Sequence, residues 1–181
     1  MRVYVIDGTF SDKYQKQISN IVSQLSAKHD VKLMKVSEQQ ISYCTGCWDC
    51  WVKTPGECAH QDDTPSHVSN LVNTDFVLHI TENSLGTITS LTKKSLDKAI
   101  PTIHPYLTIV DGESRHKKRY ETYPRWGFIY FDPEENKTDR DNVLFYFNRA
   151  VMNAKTEVVA YDFLTGKEDA IDEINIIKWF A

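Results

Sequence analysis

The chain has 181 residues, of which 41% are hydrophobic and 25% are charged, and its formal net charge at pH 7 is -4. These values are typical of one folded domain with a full hydrophobic core, so we expect a single domain over residues 1–181 and not a disordered chain. The acidic balance argues against general binding to nucleic acid or anionic membranes, and no apolar run reaches the roughly 18 residues of a membrane-spanning helix.

Short apolar runs typical of buried strands alternate along the chain with segments whose apolar residues recur every three or four positions, as on one face of a helix. In chain order we predict a strand at Val3–Ile6, a helix at Ser11–Leu25, a strand at Val31–Val36, a helix at Ser66–Val72, a strand at Asp75–Ile80, a helix at Leu91–Ile100, a strand at Trp126–Phe131, a helix at Asn142–Ala154 and a strand at Glu157–Phe163. A basic loop is expected at 111–124, and a final helix is expected in the tail from Glu168.

Five strands that alternate with helices predict an α/β fold in which a parallel sheet lies between two layers of helices. Helices must cover both faces of the sheet, because each crossover between parallel strands is right-handed. With five strands the natural strand order is 2-1-3-4-5, which is the order of a flavodoxin-like three-layer sandwich.

Two loops of this predicted sheet are candidates for ligand binding, because ligands bind beyond the carboxyl ends of parallel strands where the strand order reverses. That point brings Gly8–Ser11, after the first strand, beside Thr81–Gly86, after the third strand. The first loop leads into a helix N-terminus, where backbone N–H groups and hydroxyls either bind a phosphate or simply cap the helix. The second loop is rich in small hydrogen-bonding groups, which suit the polar edge of a flavin ring or an ordinary surface loop.

The most specific motif of the chain is its cysteine segment. The spacing is C-x2-C-x2-C-x7-C, and the four residues are Cys44, Cys47, Cys50 and Cys58. Together with Thr81-x-x-Ser84-x-Gly86 and with His116–Tyr120, this segment resembles the NADPH-dependent FMN reductase and iron–sulfur flavoprotein group of flavodoxin-like proteins. The likeness runs in order over roughly residues 1–165.

The resemblance implies an FMN-dependent NAD(P)H oxidoreductase of the flavin or quinone reductase type. It implies a small-molecule electron acceptor or a redox protein as partner, and a homo-oligomer of two or four chains. The flavin itself carries the hydride chemistry, so no side chain is expected to act as a catalytic acid or base. The first loop is expected to bind the FMN phosphate and the second loop the isoalloxazine ring, so the predicted cofactor-binding residues are Gly8, Thr9, Phe10, Ser11, Thr81, Glu82, Asn83, Ser84, Leu85 and Gly86.

Both loops depart from the family pattern. The family's Gly-Ser-Pro-Arg phosphate loop is replaced by Gly8–Lys13, which lacks the arginine and adds Asp12, and the proline of the family's flavin loop is Glu82. A carboxylate that faces a phosphate costs binding energy unless a nearby lysine offsets it. A Phe10 or Glu82 side chain that fills the space between the loops would argue against the redox function and leave the fold intact. Two alternatives therefore stay open: a flavodoxin-type electron carrier, and a family member without its cofactor that acts as a binding or scaffold protein.

The cysteines leave three interpretations open. The N-terminus lacks the apolar stretch of a signal peptide, so we expect a cytoplasmic protein, in which crowded cysteines favour metal or redox chemistry over structural disulfides. In the iron–sulfur flavoproteins a comparably compact motif holds a [4Fe–4S] cluster, so the resemblance makes the four cysteines candidate cluster ligands. The same spacing also suits one Zn²⁺ ion, and the third interpretation is a helical turn of buried structural thiols at a subunit interface.

Overall fold

The computed structural model describes residues 1–167 together with Ile176 and Trp179. The helix predicted in the tail from Glu168 lies outside this part of the chain. The strands are β1 (Arg2–Asp7), β2 (Asp30–Lys35), β3 (Phe76–Glu82), β4 (Ile103–Val110), β5 (Glu113–Lys118), β6 (Arg125–Phe131) and β7 (Val158–Leu164). The α-helices are α1 (Gln15–Ser26), α2 (Asp49–Val52), α3 (Thr64–Val72), α4 (Ser90–Asp97) and α5 (Lys137–Ala154). Single 3₁₀ turns lie at Asp12–Tyr14, Val36–Glu38 and Ile100–Thr102.

Five of the strands form a parallel sheet in the order β2-β1-β3-β6-β7. Counted along the sheet-forming strands alone this is 2-1-3-4-5, so the predicted flavodoxin-like architecture is confirmed. The central strand β1 pairs with β2 and β3 at once, and Val5 lies opposite both Leu33 and Leu78. The strand order reverses between β1 and β3, and the loops after these two strands therefore start side by side.

Alternate residues of the central strands fill two separate cores, because successive side chains point to opposite faces of a sheet. On one face, Val5, Leu78 and Ile129 pack against the apolar side of α1. On the other face, Tyr4, Val77 and Phe128 pack against residues of α3 and α5. Helices thus cover both faces, as the alternation of strands and helices predicted. Among the described residues, no helix combines the length and the apolar character needed to cross a membrane.

The predicted basic loop at 111–124 is wrong for its first half, which forms a β-hairpin. Strands β4 and β5 pair antiparallel around a two-residue turn, Asp111-Gly112, in which both residues have positive φ (52° and 78°). This conformation is the one that Asp-Gly favours in tight hairpins, since its twist matches that of the flanking strands. Most of the basic run Arg115–Arg119 therefore lies in β5, where cross-strand pairing holds the backbone.

Candidate functional site

Three loops meet at the carboxyl edge of the parallel sheet: residues 8–11 after β1, residues 83–89 after β3 and residues 132–136 after β6. Backbone hydrogen bonds connect them, from Gly8 N to Ile80 O (2.9 Å) and from Asn83 N to Phe131 O (2.9 Å). The Thr89 hydroxyl also donates to Gly8 O (2.5 Å). The structure therefore brings the two loops that were predicted to form the site into contact.

The beginning of the first loop is held by protein groups. Asp7, which is buried, accepts hydrogen bonds from the Thr9 amide (3.0 Å) and the Thr9 hydroxyl (2.7 Å). Gly8 packs directly against α4, and a Cβ at this position would lie 2.2 Å from Thr92 Oγ1. Real Cβ atoms do not approach so closely, so a residue without a side chain is required here. Gly8 and Thr9 thus fix the position of the loop and have no free amide for a ligand.

The end of the first loop binds a carboxylate of the protein itself. Glu82 Oε1 accepts hydrogen bonds from Phe10 N (2.5 Å) and Ser11 N (3.2 Å). Two successive backbone amides that converge on one oxygen form an anion-binding concavity of the kind that holds phosphates. We call the Phe10 and Ser11 amides the anion seat. The Phe10 side chain itself points away and is 56% exposed, so Glu82 and not Phe10 fills the seat.

The second loop is a tight turn whose polar groups bond mainly to one another. Ser84 N donates to Thr87 O (2.9 Å), and Gly86 N donates to Asn83 Oδ1 (3.0 Å). Leu85 and Gly86 both have positive φ (54° and 80°), as a two-residue turn of this type requires. The Leu85 side chain is fully exposed. The groups predicted to face a flavin edge therefore already have partners within the turn.

Two further residues of this turn connect it to the rest of the fold. The Thr81 hydroxyl accepts a hydrogen bond from Thr89 N (3.2 Å). The Asn83 amide nitrogen donates to Asp139 Oδ2 (2.7 Å), which ties the turn to α5. Thr81 and Asn83 are among the predicted cofactor-binding residues, and in the structure both also hold the turn in position.

An ion pair at the same edge was missed by the sequence reasoning. Asp132 follows β6 directly and is fully buried, and its Oδ2 accepts from Arg140 Nε at 2.7 Å. Its second oxygen, Oδ1, has no hydrogen-bond partner among the described residues. The guanidinium of Arg140 also lies 5.3 Å from the ring centre of Phe163. An acidic residue immediately after a buried strand at the ligand-binding edge was the available signal.

Acidic groups dominate the charge of this edge. Glu82 and Asp7 lie at the first loop, Asp139 lies at the second, and Asp132 with its partner Arg140 lies at the third. Burial raises the pKa of the nearby Tyr130, and the negative charges of Asp139 and Asp132 raise it further. Tyr130 is therefore neutral at pH 7, and its hydroxyl donates to Thr87 O (3.5 Å). A phosphate at this edge meets carboxylates, and the arginine that the described residues place here, Arg140, is already paired with Asp132.

The residues at this edge fit an anion, and in the described conformation that anion is Glu82. A flavin phosphate fits the same two amides if the Glu82 side chain rotates away from them. Whether a flavin phosphate fits the anion seat therefore depends on the position of the Glu82 side chain, because Gly8, Thr9 and the β3 backbone hold the two amides in place.

The cysteine segment forms a second candidate site, in the stretch between β2 and β3. All four cysteines line one shallow cleft together with His60 and Lys98. Lys98 is buried, and its Nζ lies 3.6 Å from Cys58 Sγ and 3.2 Å from Ser42 Oγ. The cleft thus places the Cys58 thiol beside a buried ammonium group, which also pairs with Asp62 (3.7 Å).

The thiols do not share one point within that cleft. Over residues 1–167, no three histidine, cysteine or acidic side chains lie close enough to hold one metal ion. Burial raises the pKa of the Cys50 thiol, and the nearby Cys58, Cys44 and Cys47 raise it further. Cys50 and Cys58 are half-buried, whereas Cys44 and Cys47 are exposed. Within the single chain, Cys50 and Cys58 thus already fit the interpretation as buried structural thiols, whereas Cys44 and Cys47 would be buried only at a subunit interface.

Trp51 fixes the cysteine segment to the hairpin. Its indole Nε1 donates to Ile103 O at 3.0 Å, and its ring packs against Trp48 (4.8 Å between ring centres) and His116 (4.9 Å). Trp51 therefore anchors the cysteine segment to the hairpin within the chain.

No model of a known protein family and no curated protein matches the chain. Solved structures do match it. An NAD(P)H:quinone oxidoreductase from Methanothermobacter marburgensis has a TM-score of 0.65 and 13% identity, over 99% of this chain and 93% of that one. An FMN-dependent NADH-azoreductase from Bacillus anthracis, solved with FMN, has a TM-score of 0.65 and 9% identity, over 98% and 95%.

A third structure, an NADH:FMN oxidoreductase in its apo form, has a TM-score of 0.62 and 12% identity, over 98% of this chain and 87% of that one. At identities this low, the likeness shows the fold and not the reaction. The chain therefore has the flavodoxin-like fold that these reductases also have.

Proposed function

We propose that the chain is an FMN-dependent NAD(P)H oxidoreductase of the flavin or quinone reductase type. The observation that carries the proposal is the anion seat at the point of the sheet where the strand order reverses. The Phe10 and Ser11 amides both donate to one Glu82 carboxylate oxygen, and two such donors at a strand-to-helix turn suit the phosphate of FMN, which supports the proposal. The solved structures with the same fold include proteins named as FMN-dependent and as NAD(P)H oxidoreductases, which supports the same assignment.

In this proposal the Phe10 and Ser11 amides hold the FMN phosphate, and the turn at Ser84–Thr87 lies next to the flavin ring. Bound FMN supplies the hydride chemistry, with NAD(P)H as reductant and a small-molecule acceptor or a redox protein as oxidant. The residues of the chain bind and orient the cofactor, and none of them has to donate or remove a proton. A homo-oligomer is part of the proposal.

Titration with FMN tests the proposal directly. We expect the purified protein to bind FMN, seen as quenching of flavin fluorescence, and to unfold at a higher temperature when FMN is present, because a ligand of the native state stabilises it. With FMN bound, it should oxidise NADH or NADPH in the presence of a quinone. A protein that binds FMN but does not oxidise either nucleotide would be an electron carrier and would contradict the reductase assignment.

One observation favours a second candidate, a protein of this fold that works without a cofactor as a binding or scaffold protein. All four amides of Gly8–Ser11 are bonded to groups of the chain, two of them to Glu82 and one to Asp7. Such a loop needs no ligand to satisfy its hydrogen bonds. The absence of flavin colour, of fluorescence quenching and of any thermal shift with FMN would contradict the reductase and favour this candidate.

A [4Fe–4S] cluster on Cys44, Cys47, Cys50 and Cys58 has weaker support, because no three metal-binding side chains of residues 1–167 lie close together. Iron and acid-labile sulfide measured after anaerobic purification test it, and we expect values near zero for both. Stoichiometric iron with matching sulfide would contradict that expectation and would require the segment to rearrange around a cluster.

A further inference from the structure

The Glu82 carboxylate occupies the two amides of the anion seat, which are the donors that a phosphate would need. We infer that Glu82 is an internal competitor of the phosphate group, so that it sets the preference of the site between phosphorylated and unphosphorylated flavin. The part that concerns flavins rests on the proposed function. The part that concerns the anion seat rests on the geometry of Phe10, Ser11 and Glu82 alone.

The seat is built independently of Glu82. Gly8 is held by Ile80 O, by the Thr89 hydroxyl and by the close packing against Thr92. Thr9 is held by Asp7. These contacts fix the backbone that leads into Phe10 and Ser11, so the two amides keep their direction when the carboxylate is removed.

Glu82 itself can leave the seat without a change of fold. It is the last residue of β3, and its backbone pairs in register with Phe131 of β6. The side chain is half-exposed, and its carboxylate reaches across to the loop after β1. Rotation about side-chain bonds into solvent is therefore enough to empty the seat, whereas the strand stays paired.

The competition is specific for the phosphate. A phosphate dianion and the Glu82 carboxylate need the same two N–H donors, and each repels the other at short range. FMN binding must therefore include the displacement of Glu82. Riboflavin has the same ring and ribityl chain but no phosphate, so it can bind while the carboxylate stays on Phe10 and Ser11. Removal of the carboxylate should act on FMN and not on riboflavin.

A comparison of two ligands on the wild-type protein and on a Glu82 variant isolates the competition between the carboxylate and the phosphate. FMN and riboflavin are titrated against the wild-type protein and against Glu82→Ala, with flavin fluorescence as the readout. We expect Glu82→Ala to bind FMN about tenfold more tightly or better, as expected for freeing charge-assisted donors, and to bind riboflavin with unchanged affinity. Glu82→Gln, which keeps the shape and removes the charge, should lie between the two. An equal change for both ligands, or no change for FMN, would overturn the inference.

Glu121→Ala is the matched control, because Glu121 is an exposed carboxylate outside the site. It changes the net charge by the same amount and should alter neither affinity. Circular dichroism and thermal unfolding of each variant confirm that the fold is retained.

A second measurement does not depend on flavin binding. Inorganic phosphate is titrated into ¹⁵N-labelled protein while the amide resonances of Phe10 and Ser11 are followed. In Glu82→Ala both resonances should shift in a saturable way, and in the wild-type protein they should stay in place over the same concentrations. Equal responses of the two proteins, or no response of either, would overturn the inference. A phosphate response of the variant without binding of either flavin would instead overturn the proposed function and leave the role of Glu82 standing.

Discussion

Acidification from pH 7 to pH 4.5 is expected to lower the free energy of unfolding by several kcal/mol, because two buried histidines have to stay neutral in the folded protein. Burial lowers the pKa of His79 to about 3, with a further decrease from His67, and burial lowers the pKa of His67 itself to about 4. The unfolded chain protonates both near their ordinary value of 6.5. Between the folded-state pKa values and 6.5, the unfolded state binds more protons than the folded state. The free energy of unfolding therefore has its full value above pH 6.5 and decreases as the pH falls below it.

The expected slope is about 1.4 kcal/mol per pH unit for each histidine. Urea unfolding at pH 4.5, 5.5, 6.5 and 7.5 measures it. A stability that is constant over this range would contradict the buried, neutral state of the two rings.

His79→Phe separates the contributions of the two histidines. The His79 ring lies between Trp126 (4.7 Å between ring centres) and Phe147 (5.5 Å), and neither of its nitrogens has a hydrogen-bond partner among the described residues. A phenylalanine keeps the ring contacts and removes two unsatisfied polar atoms, so stability at pH 7 should rise by about 1 kcal/mol. The slope below pH 6 should fall to about half.

His67 is the contrasting case, since its ring nitrogens are bonded to the Tyr4 hydroxyl (3.1 Å) and to Ser95 O (2.9 Å). Its replacement by phenylalanine should therefore destabilise the protein at pH 7, although it removes the same titration. The half-exposed His104 provides the control, and His104→Phe should leave the slope unchanged. His79→Leu is the smaller second variant if phenylalanine is too large for the cavity.

Arg140→Ala is expected to cost about 3 kcal/mol of stability, because it leaves the Asp132 carboxylate buried without its ion-pair partner. The Asp132 side chain is 0% exposed, whereas the Arg140 side chain is 25% exposed. Because Arg140 is partly solvated, the expected loss of stability lies at the lower end of the range for buried ion pairs. The variant also loses the packing of the guanidinium on Phe163. Urea unfolding at pH 7 measures the change.

A double variant separates the ion pair from the packing. Asp132→Leu with Arg140→Met removes both charges and keeps apolar volume, so it should recover most of the loss. Lys137→Ala, on the exposed side of the same helix, removes a solvent-exposed pair with Asp141 and should have no measurable effect. A loss in Arg140→Ala no larger than that of Lys137→Ala would show that Asp132 is not dependent on its partner.

Periodicity predicted the sheet well because its strands are buried on both faces and are therefore almost continuously apolar, as at Phe76–Ile80 and Trp126–Phe131. It failed at the β4–β5 hairpin. The hairpin makes few apolar contacts with the core, and the charges of Arg115–Arg119 are typical of a loop. The Asp111-Gly112 pair, preceded by the β-branched and aromatic run Tyr106–Val110, was the local signal that predicts such a turn.

The site was predicted in its location but not in its contacts. The loops after β1 and β3 follow from the strand order alone, and they do meet. That Glu82 reaches Phe10 depends on two residues 72 positions apart in the chain, and that Arg140 reaches Asp132 depends on how α5 packs. Sequence alone identifies such side chains as departures from a pattern, and the three-dimensional structure is needed to show which partner each one takes.

The close packing of Gly8 against Thr92 couples substitutions in the first loop to substitutions in α4. A Cβ at Gly8 would lie 2.2 Å from the Thr92 hydroxyl and 3.0 Å from the Thr92 backbone N and Cα. An alanine in place of Gly8 therefore requires both a smaller side chain in place of Thr92 and a small outward shift of the helix. The two positions are sterically coupled, so volume added at one has to be removed at the other.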